Sequence, residues 1–371
     1  MKRLPAVVLT AILLCFQMPT VQAVGTCASA SVLMDGESGR VLYQENCYQP
    51  NLIASTTKLM TALVAVRSGV DPDQVVTVPD EAVGVEGSSI YLQKGERITL
   101  KALLYGMLLK SGNDAATAVA IVCGGSVEEF VSSMNRTARE LGMEHTHFEN
   151  PTGLDGETHY SSAYDMALLA RACLADETVS EIVSTSNAVF GQRSFSNHNK
   201  LLRRYEGCVG MKTGYTQRAG RTLVSAARRG GMTLIAVTLN DPNDWNDHES
   251  LLDYGFSNYA PVVVAKKGES VGRLPVVGSL DLFAEAVAEE GFCYPVGQQE
   301  HLRVERCWKK TVVSAPIEQG EKLGVLKVWC GQELVGEIPL VAAEKIENNS
   351  ARDEGWLSGI LRGIINRMNE G

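Results

Sequence analysis

A serine and a lysine three residues apart form the first pair in this sequence that could do chemistry. The stretch Ser55-Thr56-Thr57-Lys58 places a hydroxyl and an amine on one face of a helix. A serine needs a base before it can act as a nucleophile, and a lysine can be that base when its amine is neutral. Burial and the positive end of a helix dipole both lower the pKa of a lysine. Because Ser-x-x-Lys occurs by chance about once in a chain of this length, the pair alone does not establish a function.

Two further motifs follow in a fixed order. A Ser-Gly-Asn motif at residues 111–113 lies between two apolar helical stretches, and a Lys-Thr-Gly motif at residues 212–214 ends a strand-like run. Lys-Thr-Gly is expected by chance in only about one chain in ten. The three motifs together are typical of penicillin-binding proteins and serine β-lactamases, although the middle of the second motif is Gly112 where those proteins have Asp.

The residues around the motifs resemble the D-alanyl-D-alanine carboxypeptidases, the low-molecular-mass penicillin-binding proteins of bacterial cell walls. The similar blocks are residues 54–61, 111–116, 150–154, 199–202, 210–216 and 251–256. The resemblance covers nearly the whole mature chain, including a C-terminal β domain and an amphipathic tail. It implies an α+β fold of the β-lactamase and transpeptidase type. It also implies a serine hydrolase that removes the terminal D-alanine from peptidoglycan stem peptides and so limits cross-linking.

The resemblance implies catalytic roles for four residues. Ser55 would attack the carbonyl between the two terminal D-alanines, and Lys58 would accept its proton. Ser111 and Lys212 would pass the proton to the leaving amine. Water would then hydrolyse the acyl-enzyme. Because penicillins mimic the acyl donor, Ser55 would also be the covalent target of β-lactam antibiotics.

Substrate binding is implied for a second set of residues. Asn113 would hold the substrate's peptide side chain by its amide, and Lys212 with Thr213 would bind the terminal carboxylate. The backbone N–H groups of Ser55 and Tyr215 would form the oxyanion hole. The predicted substrate-binding residues are Asn113, Lys212, Thr213, Gly214 and Tyr215.

Neither a metal nor another cofactor is predicted. His145 and His147 would lie on one side of a strand, but no third ligand with zinc-site spacing is evident. The expected partners are stem peptides ending in D-Ala-D-Ala, β-lactams and a membrane surface. Nucleic acid is not an expected partner, because 43 acidic against 34 basic residues give a net charge of −9 and no basic patch is visible.

The N-terminus predicts export. Lys2 and Arg3 precede an apolar run at residues 6–16, and small residues suited to cleavage follow at 21–23, as in a secretory signal peptide. Attachment of lipid at Cys15 is the less favoured alternative, because Leu14 precedes that cysteine. Cleavage before Val24 removes Cys15 and leaves an even number of cysteines, which permits disulfides. The resemblance places the mature protein at the outer face of the bacterial cytoplasmic membrane.

Hydrophobic periodicity predicts the helices and strands that carry the motifs. Helices are predicted at residues 56–66, with Ser55 as the N-cap, and at 100–109, 114–122, 126–141, 161–174 and 246–254. Strands are predicted at residues 29–34, 40–45, 208–212, 221–227 and 232–239. A hairpin centred on Glu37 would place Cys27 opposite Cys47. The sequence is equally compatible with a disulfide bridge there and with two reduced cysteines. Helices between strands indicate an α+β catalytic domain.

Five segments are predicted along the chain: a signal peptide at 1–23, the catalytic domain at 24–260, a β-rich domain at 261–343, a linker at 344–354 and an amphipathic helix at 355–371. Seven apolar residues of the last segment fall on one half of a helical wheel. The segment is interpreted as a monotopic membrane anchor, with docking on the β domain or on a partner as the alternative. The apolar residues are Trp356, Leu357, Ile360, Leu361, Ile364, Ile365 and Met368.

Two other functions remain open from the sequence. A β-lactamase shares the acylation chemistry and needs a glutamate that activates water for deacylation. Glu149 and Glu157 lie in a loop region, but their surroundings match the carboxypeptidase blocks instead. A non-catalytic wall-associated protein would be expected to have lost one of the motif residues. The sequence leaves open whether vegetative or spore-wall peptidoglycan is the substrate.

Overall fold

The computed structural model describes residues 24–349 of the 371-residue chain. The predicted signal peptide at 1–23, the end of the predicted linker and the predicted amphipathic helix at 355–371 lie outside the described residues. The limits assigned to the domains therefore stay predictions. Strand β10 (Tyr259–Ala265) crosses the predicted boundary between residues 260 and 261.

Eight α-helices lie in residues 24–258, and most of them pack into one cluster. The predicted helix at 100–109 has the observed limits, because an unbroken apolar run is buried along it. Ser126 is the N-cap of the fourth helix, since its Oγ accepts a hydrogen bond from the Glu129 N–H at 3.1 Å. The helices are α1 (Lys58–Arg67), α2 (Leu100–Leu109), α3 (Asn113–Gly124), α4 (Val127–Glu140), α5 (Ala163–Ala175), α6 (Glu177–Ser184), α7 (Leu201–Arg204) and α8 (Asp244–Asn258).

A five-stranded antiparallel sheet supports this cluster, with the order β2-β1-β9-β8-β7. Strands β8 and β9 form a hairpin across Gly230 and Gly231, both with positive φ. The hairpin β5–β6, the pair β3–β4 and helix α6 were not predicted. The strands are β1 (Ala30–Asp35), β2 (Val41–Glu45), β3 (Val75–Thr77), β4 (Arg97–Thr99), β5 (Asn187–Phe190), β6 (Arg193–Ser196), β7 (Cys208–Thr216), β8 (Gly220–Arg229) and β9 (Met232–Leu239).

Both faces of the five-stranded sheet are covered. Val224 and Ile235 on one face belong to the core shared with the helical cluster. Leu223 and Leu234 on the other face belong to a second core that includes residues of α8. Alternate residues of β8 and β9 therefore enter different cores, which explains why β9 is mostly apolar and why six consecutive residues of β8 are buried.

The β1–β2 hairpin differs from the prediction in its register. Ser31 pairs with Glu45, whereas a hairpin centred on residue 37 would pair residue 31 with residue 43. The turn is centred later than predicted, and an extra residue in β2 opposite the Leu33–Met34 step adds a further shift. Cys27 and Cys47 are both free, and the Cys47 thiol donates a hydrogen bond to Gln44 Oε1 at 3.1 Å. Of the two alternatives for this pair, the structure has the reduced cysteines.

The remaining described residues form a separate all-β domain, as predicted. A six-stranded sheet with the order β14-β16-β17-β12-β11-β15 is accompanied by the pair β10–β13. Its two apolar clusters are separate from the cores of the catalytic part. The further strands are β11 (Ser270–Val277), β12 (Phe283–Ala288), β13 (Phe292–Gly297), β14 (Leu302–Trp308), β15 (Val313–Ser314), β16 (Lys322–Cys330) and β17 (Glu333–Ala342).

In residues 24–349, no single helix has both the length and the apolar composition needed to cross a bilayer. Helices α3 and α4 meet those criteria only when taken together, and they are bent by 85° at the break between them.

Candidate active site

Ser55 lies in a 3₁₀ turn, Ala54–Thr57, that leads directly into α1. The prediction that Ser55 is the N-cap of this helix is wrong, because the capping position is Thr57 and no side chain caps the helix there. The turn starts at Ala54, whose φ of 46° is unusual for a residue with a side chain. Tertiary contacts rather than capping therefore set the position of Ser55.

Glycine at position 153 allows its loop to come close to the 3₁₀ turn that carries Ser55. Gly153 has a φ of 84°, and a Cβ atom there would overlap the carbonyl of Ala54. On the sheet side, Thr222 Oγ1 donates a hydrogen bond to the Ile53 carbonyl at 3.1 Å. The turn that carries Ser55 is thus held between residue 153 and strand β8.

Lys58 is completely buried next to Ser55. Its Nζ atom lies 2.9 Å from Ser55 Oγ and 2.7 Å from Asn113 Oδ1, and it also donates to the carbonyl of Thr152. Three acceptors around one amine fix its position. The predicted nucleophile and its predicted base are therefore in hydrogen-bond contact.

The pKa of Lys58 is lowered well below its ordinary value. Burial is the main cause, because desolvation disfavours the ammonium form, and the positive charge of Lys212 lowers this pKa further. The Asp114 carboxylate acts in the opposite direction. A lysine in this environment can exist as the neutral amine that accepts a proton.

The block at residues 150–154 presents the Thr152 carbonyl to Lys58. Asn150 Oδ1 accepts hydrogen bonds from the Thr152 hydroxyl and the Gly153 N–H, both at 2.8 Å. Thr61 Oγ1 on α1 donates to the Pro151 carbonyl at 2.7 Å, which joins the loop to the helix. The sequence marked this block by resemblance only, and nothing in its local pattern indicated the contact with Lys58.

The second motif occupies the turn between α2 and α3. Asn113 is buried, with its Oδ1 on Lys58 and its Nδ2 donating to the Glu86 carbonyl at 2.6 Å. The amide predicted to hold substrate is thus engaged with the lysine in this structure. Asp114, which the sequence reading missed, holds the facing loop by accepting from the Ile90 and Leu92 N–H groups at about 3.0 Å.

A second serine–lysine pair faces the first. Lys212 of β7 is buried, and its Nζ donates to Ser111 Oγ at 3.1 Å and to the Thr213 carbonyl at 2.8 Å. Ser111 takes a φ of 62° at the turn, which directs the motif residues to the cleft. Burial lowers the pKa of Lys212 to about 7. Both lysines of the predicted site therefore have reduced proton affinity.

Strand β7 passes the nucleophile at close range. A Cβ atom at position 214 would lie 3.0 Å from the Ser55 backbone nitrogen and would overlap the Thr222 hydroxyl, so only glycine fits. Because β7 is the edge strand of its sheet, some of its N–H groups point away from β8. This placement suits the oxyanion-hole role predicted for the N–H groups of Ser55 and Tyr215.

A cleft of about 750 Å³ opens over these residues. Ser55, Ser111, Thr213, Gly214 and Tyr215 line it, while Lys58, Asn113 and Lys212 lie buried beneath them. The resemblance had marked the block at residues 199–202, which supplies part of the remaining lining of the cleft. No group of three or more His, Cys, Asp or Glu side chains that could hold a metal ion occurs among residues 24–349. The lining residues missed by the sequence reading include His198, Lys200, Arg203, Arg221, Asp244 and Trp245.

Replacing Gly153 with alanine is expected to displace the Ser55 turn, because the new Cβ overlaps the Ala54 carbonyl. The variant should lose about 3 kcal/mol or more of unfolding free energy and acylate far more slowly. Gly125→Ala is the matched control, since Gly125 has a φ of 82° with open space around it and should cost only about 1–2 kcal/mol. Thermal melts and penicillin acylation rates measure both effects. Equal losses in the two variants would show that the close approach is unimportant.

Comparisons with known proteins agree with this geometry. A sequence profile described as D-alanyl-D-alanine carboxypeptidase matches residues 17–243, and one described as penicillin-binding protein 5, C-terminal domain, matches residues 259–348. The chain is 35% identical over 335 residues to D-alanyl-D-alanine carboxypeptidase DacF of Bacillus subtilis, covering 86% of each protein. It is 32% identical over 346 residues to the carboxypeptidase DacD of Escherichia coli, covering 87% of this chain and 88% of that one.

Solved structures give the same result for the fold. Penicillin-binding protein 5 from Haemophilus influenzae is similar with a TM-score of 0.77 and 27% identity, over 87% of this chain and 98% of that one. PBP3 from Streptococcus pneumoniae, titled a peptidoglycan synthesis regulatory factor, has a TM-score of 0.75 and 25% identity, over 87% and 100% of the respective chains. The predicted transpeptidase-like fold with a separate C-terminal β domain is confirmed.

Proposed function

The chain belongs to the D-alanyl-D-alanine carboxypeptidase family of serine peptidases, and from that premise we propose that Ser55 carries the acyl group during removal of the terminal D-alanine. The single observation that carries this proposal is the 2.9 Å contact between Ser55 Oγ and the buried amine of Lys58. A serine with a neutral lysine at this distance has both the nucleophile and the base for acyl transfer.

Acylation begins when Lys58 takes the proton of Ser55 and the oxygen attacks the carbonyl of the penultimate D-alanine. The N–H groups of Ser55 and Tyr215 stabilise the negative charge that develops on the carbonyl oxygen. The bond to the terminal D-alanine then breaks, and its nitrogen receives a proton through Ser111. Lys212, 3.1 Å from Ser111 Oγ and with a pKa near 7, supplies that proton.

Binding of the terminal carboxylate is assigned to Lys212 and Thr213. The carboxylate receives a charge-assisted hydrogen bond when the amine is protonated, and the Thr213 hydroxyl adds a neutral donor. Asn113 positions Lys58 in the substrate-free site through its 2.7 Å contact. Its contact with the substrate's peptide side chain remains a prediction.

Deacylation by water completes peptide hydrolysis, and slow deacylation would make β-lactams covalent inhibitors at Ser55. The β-lactamase alternative requires a glutamate that activates water in the cleft. Glu149 instead accepts a hydrogen bond from the Thr158 hydroxyl at 2.7 Å, and neither Glu149 nor Glu157 lines the cleft. This supports a long-lived penicilloyl adduct over rapid turnover.

The test is release of free D-alanine from a peptide ending in D-Ala-D-Ala. The purified enzyme should release one D-alanine per peptide and leave the shortened peptide intact. Preincubation with penicillin should abolish that release in proportion to the fraction of enzyme labelled. Absence of D-alanine release by the unmodified enzyme would overturn the proposal.

The relatives of this chain are bacterial cell-wall enzymes. The chain is accordingly assigned an extracytoplasmic location, with peptidoglycan as its substrate. We propose in addition that residues 355–371 attach it to the membrane surface, because their apolar residues repeat with helical periodicity. Deleting residues 356–371 should shift the protein from the membrane to the soluble fraction and leave D-alanine release intact. Unchanged partition of the truncated protein would refute the anchor.

A further inference from the structure

One wall of the active-site cleft carries more positive charge than a terminal D-alanine needs. Among residues 24–349, four cationic residues line the cleft, and Asp244 is the only carboxylate in that lining. The whole chain has a net charge of −9, so a cationic wall is opposite in sign to the average surface. The cationic residues are Lys110, Lys200, Arg203 and Arg221.

This wall lies on the side of the cleft assigned to the leaving group. Lys110 directly precedes Ser111, and the His198 N–H donates to the Leu109 carbonyl at 3.2 Å, which places the segment before α7 against the end of α2. His198 is also close enough to Lys212 and Lys110 for both charges to lower its pKa, after the larger effect of burial. Lys58 and its partners Asn113 and Thr152 form a separate group of contacts around Ser55.

Two of the cations are available to a ligand. Lys200 and Arg203 are exposed and form no ion pair within the described part of the chain. Arg221 is partly neutralised by Asp244 at 2.7 Å. The Trp245 ring joins the group, with Lys200 Nζ 5.8 Å and Arg221 Cζ 5.7 Å from its centroid. The wall therefore combines unpaired charge with an aromatic surface.

A leaving D-alanine has one carboxylate, which the proposed function already assigns to Lys212 and Thr213. We propose that Lys200 and Arg203 form a subsite for a second carboxylate, carried on the side chain of the leaving residue. This inference rests on the proposed function and extends its substrates to D-Ala bonds with acidic D-amino acids. The same peptide bond breaks, water supplies the hydroxyl to the acyl group, and the leaving amine is protonated as before. No additional reactant is needed.

Three peptides that differ only in the last residue test the subsite. Acetyl-Lys-D-Ala-D-Glu and acetyl-Lys-D-Ala-D-Gln are nearly isosteric and differ in one charge, so the ratio of their kcat/KM values isolates that charge. We expect the unmodified enzyme to prefer the D-Glu peptide. In the Lys200→Gln/Arg203→Gln double variant, the ratio of the two kcat/KM values should be about tenfold lower. Arg97→Gln removes an exposed arginine outside the cleft and should leave the ratio unchanged.

The third peptide, acetyl-Lys-D-Ala-D-Ala, separates the two proposals. If it is hydrolysed but the Glu/Gln ratio is near one, or if the double variant keeps the ratio of the unmodified enzyme, the subsite is overturned and the proposed function stands. If none of the three peptides is hydrolysed, the proposed function itself fails. Raising the salt concentration should lower the Glu/Gln ratio of the unmodified enzyme, because the interaction is between partly exposed charges.

Discussion

Replacing Ser55 with alanine is expected to lower kcat/KM for D-alanine release by about 10⁴-fold or more, because the variant lacks the oxygen that forms the acyl bond. The side chain of Ser55 is small, and the 3₁₀ turn that carries it is held by backbone contacts, so the fold should be unaffected. Steady-state assays of D-alanine release measure the loss, and thermal melts check the fold.

Ser196→Ala is the matched control for this variant. Ser196 lines the same cleft and is exposed, so its replacement removes a hydroxyl from the site without removing the nucleophile. We expect its kcat/KM to stay within about threefold of the unmodified enzyme. Undiminished D-alanine release by Ser55→Ala would contradict the assignment of the nucleophile.

The second large effect is expected for Lys58→Met, which replaces the buried amine with an apolar side chain of similar length. Loss of the general base should lower the rate of acylation by penicillin by about 10²–10⁴-fold. The variant removes a buried amine but leaves Asn113 Oδ1 and the Thr152 carbonyl without their donor, so the unfolding free energy should fall by about 1–3 kcal/mol. The measurement is the acylation rate together with a denaturant unfolding curve.

The rate of acylation by the unmodified enzyme should increase with pH. Protonated Lys58 cannot accept the Ser55 proton, so acylation should rise with pH as the amine becomes neutral. Burial and the charge of Lys212 lower the pKa of Lys58, which places this rise well below the pH at which an exposed lysine titrates. The Lys58→Met variant should lack the rise.

Lys94→Met, at an exposed lysine paired with Asp80, serves as the control and should keep the pH profile of the unmodified enzyme. If Lys58→Met acylated at the normal rate with an unchanged pH profile, another group would have to be the base.

The sequence was most informative where local rules act alone. The limits of α2, the start of α4 near Ser126 and the positions of β8 and β9 all followed from residue patterns within a short window. The motif residues were identified by their order, and the structure brings them to one cleft. The register of the β1–β2 hairpin could not be obtained this way, because a bulge leaves little trace in the residue pattern.

Long-range contacts account for most of what the sequence did not predict in the site. Local rules made Ser55 a helix cap, but contacts from Thr222 and Gly153 hold it in a 3₁₀ turn instead. Lys58 meets Asn113 and the Thr152 carbonyl, which are 55 and 94 residues away along the chain. The cationic wall of the cleft likewise joins residues from three separate segments, so no local pattern could mark it.

Locating the covalent adduct shows which residue is the nucleophile. The enzyme is incubated with penicillin, digested under conditions that preserve the ester, and its peptides are weighed by mass spectrometry. We expect one adduct per protein molecule, attached to Ser55, and we expect it to persist for much longer than the time of acylation. An adduct on any other residue, or continued D-alanine release by fully labelled enzyme, would contradict it.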